Sequence, residues 1–348
     1  MDKRLFSILE FERIKEILSR HIYTAPGNDL LIKLTPSSDV SLVGQWQRET
    51  TEMKNIIIRK GNLPLFSLSD IHKSIQRAYL EGSILSINEL LEIARVLRCL
   101  HLIHDFFKTK DNENSIIASI LSRINVFNLL EKEISQTFNP EEGIIVDEAS
   151  ADLRRIRKRI RRYEQKIRDK LDDIIKDSKY QSVIQDSIVT IRQGRFVIPV
   201  KQQEKGKFPG IVHDKSVSGA TLFVEPVKLV AMNNELREFQ QDEKREEYKI
   251  LQKLTSRISQ HGSEILNSYR NLGHIDLLNA KAKLSIQMDG IEPKISKEGP
   301  IILFQARHPL LKGEVVPVEI EIGRDFDSLI ITGPNTGGKT VSLKTVGL

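Results

Sequence analysis

Apolar residues recur at Leu153, Ile156, Ile160, Tyr163, Ile167, Leu171 and Ile174, three or four positions apart, with charged residues filling the gaps. Side chains at that spacing form one stripe on a helix, which predicts a coiled-coil seam over about 148–178, a helix of roughly 45 Å at 1.5 Å per residue. A second seam opens with Leu229, Met232, Leu236 and Phe239 and resumes at Leu251, Leu254, Ile258, His261, Ile265, Tyr269 and Leu272. The polar stretch Gln241–Glu247 interrupts its apolar face and is expected to be solvated. Two such helices predict an antiparallel pair of arms, a lever.

Between the seams the period changes to two. Ser187–Arg192 and Arg195–Val200 flank Gln193-Gly194 and predict a β-hairpin, while Ile211–His213 and Thr221–Val224 supply two further strands around a Lys215–Gly219 turn. Ahead of the first arm, Leu5, Leu9, Ile14, Ile17 and Leu18 predict one buried helical face and Ile87–Phe107 another, separated by breakers such as Ala25-Pro26-Gly27. After Gly290, strands are expected at Ile301–Phe304, Val315–Ile322 and Leu329–Thr332, the last of them buried. The expected fold is therefore multidomain and mainly α. A helical core domain spans 1–145, a first lever helix 146–182, a small β clamp 183–226 and a returning lever helix 227–288. Residues 289–348 form the truncated start of an α/β P-loop ATPase domain.

Composition adds limits. A chain of 348 residues exceeds one ordinary core and predicts two to four domains. No apolar run reaches the 18 residues of a membrane span, and the charged N-terminus does not read as a signal peptide. Cys99 is the only cysteine, so no internal disulfide forms, and a cytoplasmic location is expected. Cys99 itself reads as a small buried apolar residue. His21, His72, His101 and His104 are scattered without a completing cysteine or carboxylate set and read as structural or solvated.

Charge singles out one region. The chain carries net charge +6, and residues 151–215 hold 18 Lys/Arg against 9 Asp/Glu, so the remainder is net acidic. Such a concentration points to a polyanionic partner. The expected contacts are the clamp cations Arg192, Arg195, Lys201, Lys205, Lys207 and Lys215. The arm adds Arg154, Arg155, Arg157, Lys158, Arg159, Arg161, Arg162, Lys166, Arg168 and Lys170, which could alternatively be a solvated helix face.

The chemistry lies at the other end. Gly333, Pro334, Asn335, Thr336, Gly337, Gly338, Lys339 and Thr340 follow the pattern G-x-x-x-x-G-K-[ST] without a gap. Glycines let successive backbone N–H groups turn inward on phosphate oxygens, and the following helix adds its positive end. Lys339 is expected to reach the β- and γ-phosphates of ATP and Thr340 to ligate Mg²⁺. No catalytic residue is identified within the chain. The carboxylate-bearing strand that a P-loop ATPase also needs does not appear in the eight residues after Thr340. The chain therefore reads as a fragment that does not hydrolyse ATP by itself.

The longer string Thr332–Thr340 resembles the MutS family. So do Ala306–Leu311 upstream, Ile275–Ala280 at the close of the second arm and Gly143–Glu148 entering the first. Gly206–Asp214 and Ser218–Pro226 resemble the clamp of the bacterial type-two branch. Leu9-Glu10-Phe11, close to the N-terminus, leaves no room for a mismatch-reading domain. The only Phe-x-Glu string is Phe223-Val224-Glu225, at a strand end in the clamp. The resemblance implies a homodimer whose ATP state is coupled through the levers to the clamp. It also implies action on branched DNA to restrain recombination, on collided ribosomes to split them, or both. Val315 matches the position that packs on adenine, and a nuclease domain would lie beyond residue 348. A structural or ribosome-binding coiled-coil module without catalysis is the alternative. It conflicts with the strand–loop–helix context predicted around the P-loop.

Overall fold

The computed structural model describes residues 3–108, 116–296, 299–311, 313–333 and 338–348. Helices carry most of it: α1 (Lys3–Ile8), α2 (Phe11–Ser19), α3 (Ala25–Ile32), α4 (Val40–Lys60), α5 (His72–Ala78), α6 (Ile87–Phe107), α7 (Ile116–Leu121) and α8 (Asn128–Thr137) precede the charged arm. The arm is α9 (Ala151–Lys176), and α10 (Val227–Gln287) runs for 61 residues. The last helix is α11 (Lys339–Gly347).

Three small antiparallel sheets interrupt the helices. Strands β1 (Phe138–Asn139) and β2 (Ile144–Ile145) pair before α9. Between α9 and α10 lie β3 (Thr190–Arg192), β4 (Arg195–Lys201), β5 (Gly210–Lys215) and β6 (Thr221–Pro226), in the order β3-β4-β6-β5. Strands β7 (Ile301–Ala306) and β8 (Val318–Ile322) pair near the end. The fold is thus mainly helical with small antiparallel sheets. Among the described residues no helix is long and apolar enough to cross a membrane.

The chain divides into two compact units, with α5, α6, α8 and α10 contributing residues to both. One comprises Met1–Gln76, Glu92–Glu131 and Ser259–Leu348, and the other Arg77–Leu91 and Lys132–Ile258.

In the first unit, Met53, Ile56, Ile71, Ile75, Ile93, Leu97, Leu100 and Ile103 make a fully buried helical core. Cys99 belongs to it, and burial pushes its thiol up to about 12, as expected of an inert apolar-type cysteine. The single N-terminal helix expected from Leu5 to Leu18 is broken at Glu10, whose φ of 58° cannot continue a helix. The α3 N-terminus is pinned instead. The Thr24 side chain accepts from Gly27 N at 3.0 Å and donates to Asp276 Oδ2 at 2.8 Å, and that oxygen also accepts from the backbone of Tyr23 and Thr24. Asp276 is buried on α10, and burial raises its carboxyl above the usual range.

In the second unit, α9 and the first half of α10 run antiparallel and share one core with the four-stranded sheet. Ile160, Ile167 and Leu171 meet Leu229, Leu236 and Phe239, and Phe196, Ile198, Val200 and Val224 close the cluster from the sheet, with Phe208 from the segment before β5. Burying each such side chain contributes about 1.5–3 kcal/mol before entropy is counted. Ser150 caps α9 by accepting from Leu153 N at 2.9 Å. The stretch expected to be solvated, Gln241–Glu247, is so only at Gln241, Lys244 and Arg245. Glu243 and Glu247 turn inward onto Arg157, at 2.7 Å each, and Asp147 closes the cluster at 3.0 Å. The polar break is an ion-pair site because a cation on the facing helix occupies the same level.

Candidate functional site

The P-loop candidate is described in part: Pro334, Asn335, Thr336 and Gly337 lie outside the described residues. Gly338 sits at φ 82° immediately before α11, a left-handed position that a Cβ would strain. Among the described residues no side chain caps this helix, which leaves its first-turn N–H groups as donors for a ligand. Lys339 and Thr340 are its first two residues, half-buried and exposed respectively. An uncapped helix start, an ammonium and a hydroxyl are a donor set that fits a phosphate and a hard cation. Val315 is half-buried in the segment between β7 and β8.

One expectation fails in this region. Leu329–Thr332 is not a strand, and Leu329, Ile330 and Ile331 are exposed. A strand exists only where a neighbour takes its backbone N–H and C=O groups, and no described segment pairs with this one. A second strand is shorter than expected, starting at Val318 instead of Val315.

Two contacts here escaped the sequence. Lys344 on α11 pairs with Glu10 at 2.7 Å, and that hydrogen bond holds the Glu10 carboxyl below its usual range. His308 is buried; its Nδ1 accepts from Leu310 N at 3.3 Å, while Nε2 finds no partner among the described residues. Burial lowers its pKa, opposed by the nearby Glu10 carboxylate.

The clamp presents its cations differently from expectation. Its hairpin turns at Gln193 and Gly194, both at positive φ (51° and 74°), the two-residue geometry that matches strand twist. Arg195 faces inward: its guanidinium holds the fully buried Glu225 at 2.8 Å and Asn234 at 2.7 Å. Glu225 also meets His213 Nε2 at 2.5 Å and accepts from Asn233 at 2.8 Å. Arg192 pairs with Asp214 at 3.2 Å and lies over the Phe223 ring. Phe223-Val224-Glu225 is thus committed inside the clamp. Lys205 Nζ donates to the carbonyls of Phe208 and Gly210, Lys201 Nζ to that of Ser182, and Lys207 pairs with Glu204 at 2.7 Å. Of the six clamp cations only Lys215 has neither an ion pair nor a carbonyl acceptor for its side chain among the described residues.

The arm keeps more of its charge outward. Arg154, Lys158, Arg162, Lys166 and Lys170 are all exposed and four residues apart on α9. At 1.5 Å per residue they form a row about 24 Å long. Lys158, Arg162 and Lys170 have no ion pair among the described residues, whereas Arg154 approaches Glu148 at 3.5 Å and Lys166 lies over Tyr163. Elsewhere on the helix, Arg157 and Arg161 are tied to Asp147, Arg155 pairs with Asp152, and Arg159 and Arg168 lie over Phe239 and Phe196. The Arg161 and Arg157 hydrogen bonds hold the Asp147 carboxyl below its usual range. Among the described residues no group of three or more His, Cys, Asp and Glu could hold a metal ion.

No protein-family model matches the chain. Curated proteins do. A protein named Endonuclease MutS2 from Geobacillus sp. (strain WCH70) is 40% identical, the match covering 100% of this chain and 45% of that protein. Its namesakes from Shouchella clausii and Halalkalibacterium halodurans are 40% and 39% identical over 99% of this chain and 44% of their own length. The chain therefore spans less than half the length of these relatives. Along essentially its whole length, it is related to the MutS2 proteins.

Proposed function

We propose that this chain is the nucleotide- and polyanion-binding part of a MutS2-type ATPase that clamps nucleic acid. The observation that carries the reading is the left-handed Gly338 opening an uncapped helix on Lys339 and Thr340, in a chain related throughout to MutS2 proteins. In this reading Gly333–Thr340 binds ATP. Lys339 neutralises the β- and γ-phosphates, Thr340 holds Mg²⁺ through its hydroxyl, and Val315 packs on the base. Bound ATP supplies the free energy of a conformational step, and the protein works as a homodimer. The row of cations on α9, with Lys215 in the clamp, attracts the phosphate backbone. The target is branched DNA, whose recombination it restrains, or ribosomal RNA in collided ribosomes, which it splits.

Two measurements test this. Replacing Lys339 by Ala should weaken binding of a fluorescent ATP analogue at least about tenfold, because a charge on the β/γ-phosphates is lost. Unchanged affinity would sink the nucleotide reading. Replacing Lys158, Arg162 and Lys170 together by Gln should flatten the salt dependence of duplex-DNA binding, by about 0.9 in log–log slope per lost contact. An unaltered slope would remove the arm from the interface. Co-sedimentation with ribosomes, set against affinity for a DNA junction, separates the two targets.

A further inference from the structure

One large apolar side chain in the second unit stands out into solvent. Val217 sits at the tip of the turn between β5 and β6 and is fully exposed, more so than any other large apolar residue described. An isolated exposed apolar residue is ordinary, but this one is held in place. Ser216 N donates to Thr221 O at 2.9 Å, Gly219 N to Ser216 O at 2.8 Å, Thr221 N to Ser216 Oγ at 3.1 Å, and Gln202 N to Ala220 O at 2.9 Å. The tip is a fixed projection.

Its surroundings are cationic. The segment 215–221 contains no carboxylate, and the Lys215 side chain lies along the turn, its Nζ 3.2 Å from where a Gly219 Cβ would stand. Lys201 pairs across the sheet with Thr221 at the same end, but its Nζ donates to the Ser182 carbonyl at 2.9 Å, which leaves Lys215 as the cation of the tip. That end is the one away from Pro226, where α10 begins. A rigid apolar point beside a lysine complements one kind of surface: phosphates around an apolar face that has opened. Uniform duplex DNA buries its base faces by stacking, whereas a branch point or unpaired base exposes them. Apolar side chains that enter nucleic acid do so between base steps, at an unstacking cost that is least where the stack is already broken.

We infer that Val217 is an apolar probe that inserts against an unstacked base step in nucleic acid, with Lys215 on the adjoining phosphate. This rests on the nucleic-acid reading above and adds to it how the clamp distinguishes branched from regular duplex.

The test uses the full chain, a three-way DNA junction with 2-aminopurine at the branch point, and a linear duplex of the same length. Wild type should bind the junction more tightly than the duplex and raise the 2-aminopurine fluorescence. V217S changes only an exposed side chain and should keep duplex affinity and its salt dependence. It should lose roughly three- to tenfold of the junction preference and abolish the fluorescence rise, and V217L should restore both. Equal preference and fluorescence in V217S and wild type would overturn the probe while leaving nucleic-acid binding intact. Failure of wild type to bind either DNA would overturn the probe together with DNA as the target in the reading above. Loss of ribosome pelleting in V217S with the junction preference unchanged would place Val217 on a ribosomal surface and overturn the inference.

Discussion

Glu225 in the clamp and His308 beside the P-loop helix are both buried polar side chains, yet their surroundings differ. Glu225 is met by Arg195, His213 and Asn233, each from a different part of the clamp or the start of α10. His308 has one backbone donor and an unpartnered Nε2. The same contrast holds for apolar residues. Phe196, Val197, Ile198 and Val200 on β4 are buried, while Phe304, Ile330 and Ile331 around the P-loop are exposed. The clamp is closed on itself, and the P-loop segment is not. Motif strength in the sequence therefore says little about how completely a region is packed. The most recognisable string lies in the least buried part.

The contrast can be broken at its strongest point by Glu225→Ala. That variant leaves Arg195 and His213 facing an empty buried site, and should cost about 3–5 kcal/mol in urea unfolding of the second unit. A loss under about 1 kcal/mol would show the network to be solvated and the clamp less closed than described.

The effect at His308 is smaller and depends on pH. Burial lowers its folded pKa, so the unfolded chain takes up the proton first as pH falls. Its contribution is complete above the ordinary histidine value of about 6.5 and is lost below it. His308→Phe should remove that slope between about pH 6.5 and 5 and cost about 1 kcal/mol at neutral pH, since Leu310 N loses its acceptor. Paired denaturation curves at the two pH values check this. An identical slope in the variant would assign it to another group. The carboxylates Glu10 and Asp147 have lowered pKa values and weaken the fold only in more acidic solution, so they do not mask the effect.

The smallest change is expected at Ile330→Ser, which should alter stability by no more than about 0.5 kcal/mol. A cost of 2 kcal/mol or more would mean that Ile330 is covered in solution and that the P-loop segment is packed after all.

Much of the second unit was legible because its signals are local. The three-and-four spacing from Leu153 to Ile174 needs only one helix to be understood, and Gln193-Gly194 carries its turn in two residues. Partners distant in sequence were not legible. Arg157 finds Glu243 and Glu247 some 86 and 90 residues later, and no periodicity announces that pairing. The pairing of the clamp cations was hidden for a similar reason, since composition cannot tell a lysine aimed at solvent from Lys205, folded back on two carbonyls. Leu329–Thr332 was misread because an apolar run reports a tendency to be buried, whereas a strand requires a neighbour. The P-loop itself was read from spacing alone, and the structure adds the bare start of α11 and the Glu10–Lys344 tie.

Arg157 has a consequence for how α9 and α10 hold their phase. Apolar side chains repeating every seven residues fit almost as well after a slide of one repeat, about 10 Å along the axis. Such a slide would part Arg157 from Glu243 and Glu247 together and set its guanidinium against apolar or unpaired neighbours. One cation and the acids around it therefore act as a detent against slippage. Ser150, which caps α9 and donates to Glu246 at 2.9 Å, adds a second stop about two turns away. A pull on the sheet end of this helix pair is consequently carried by both helices at once, as tension in a single bar.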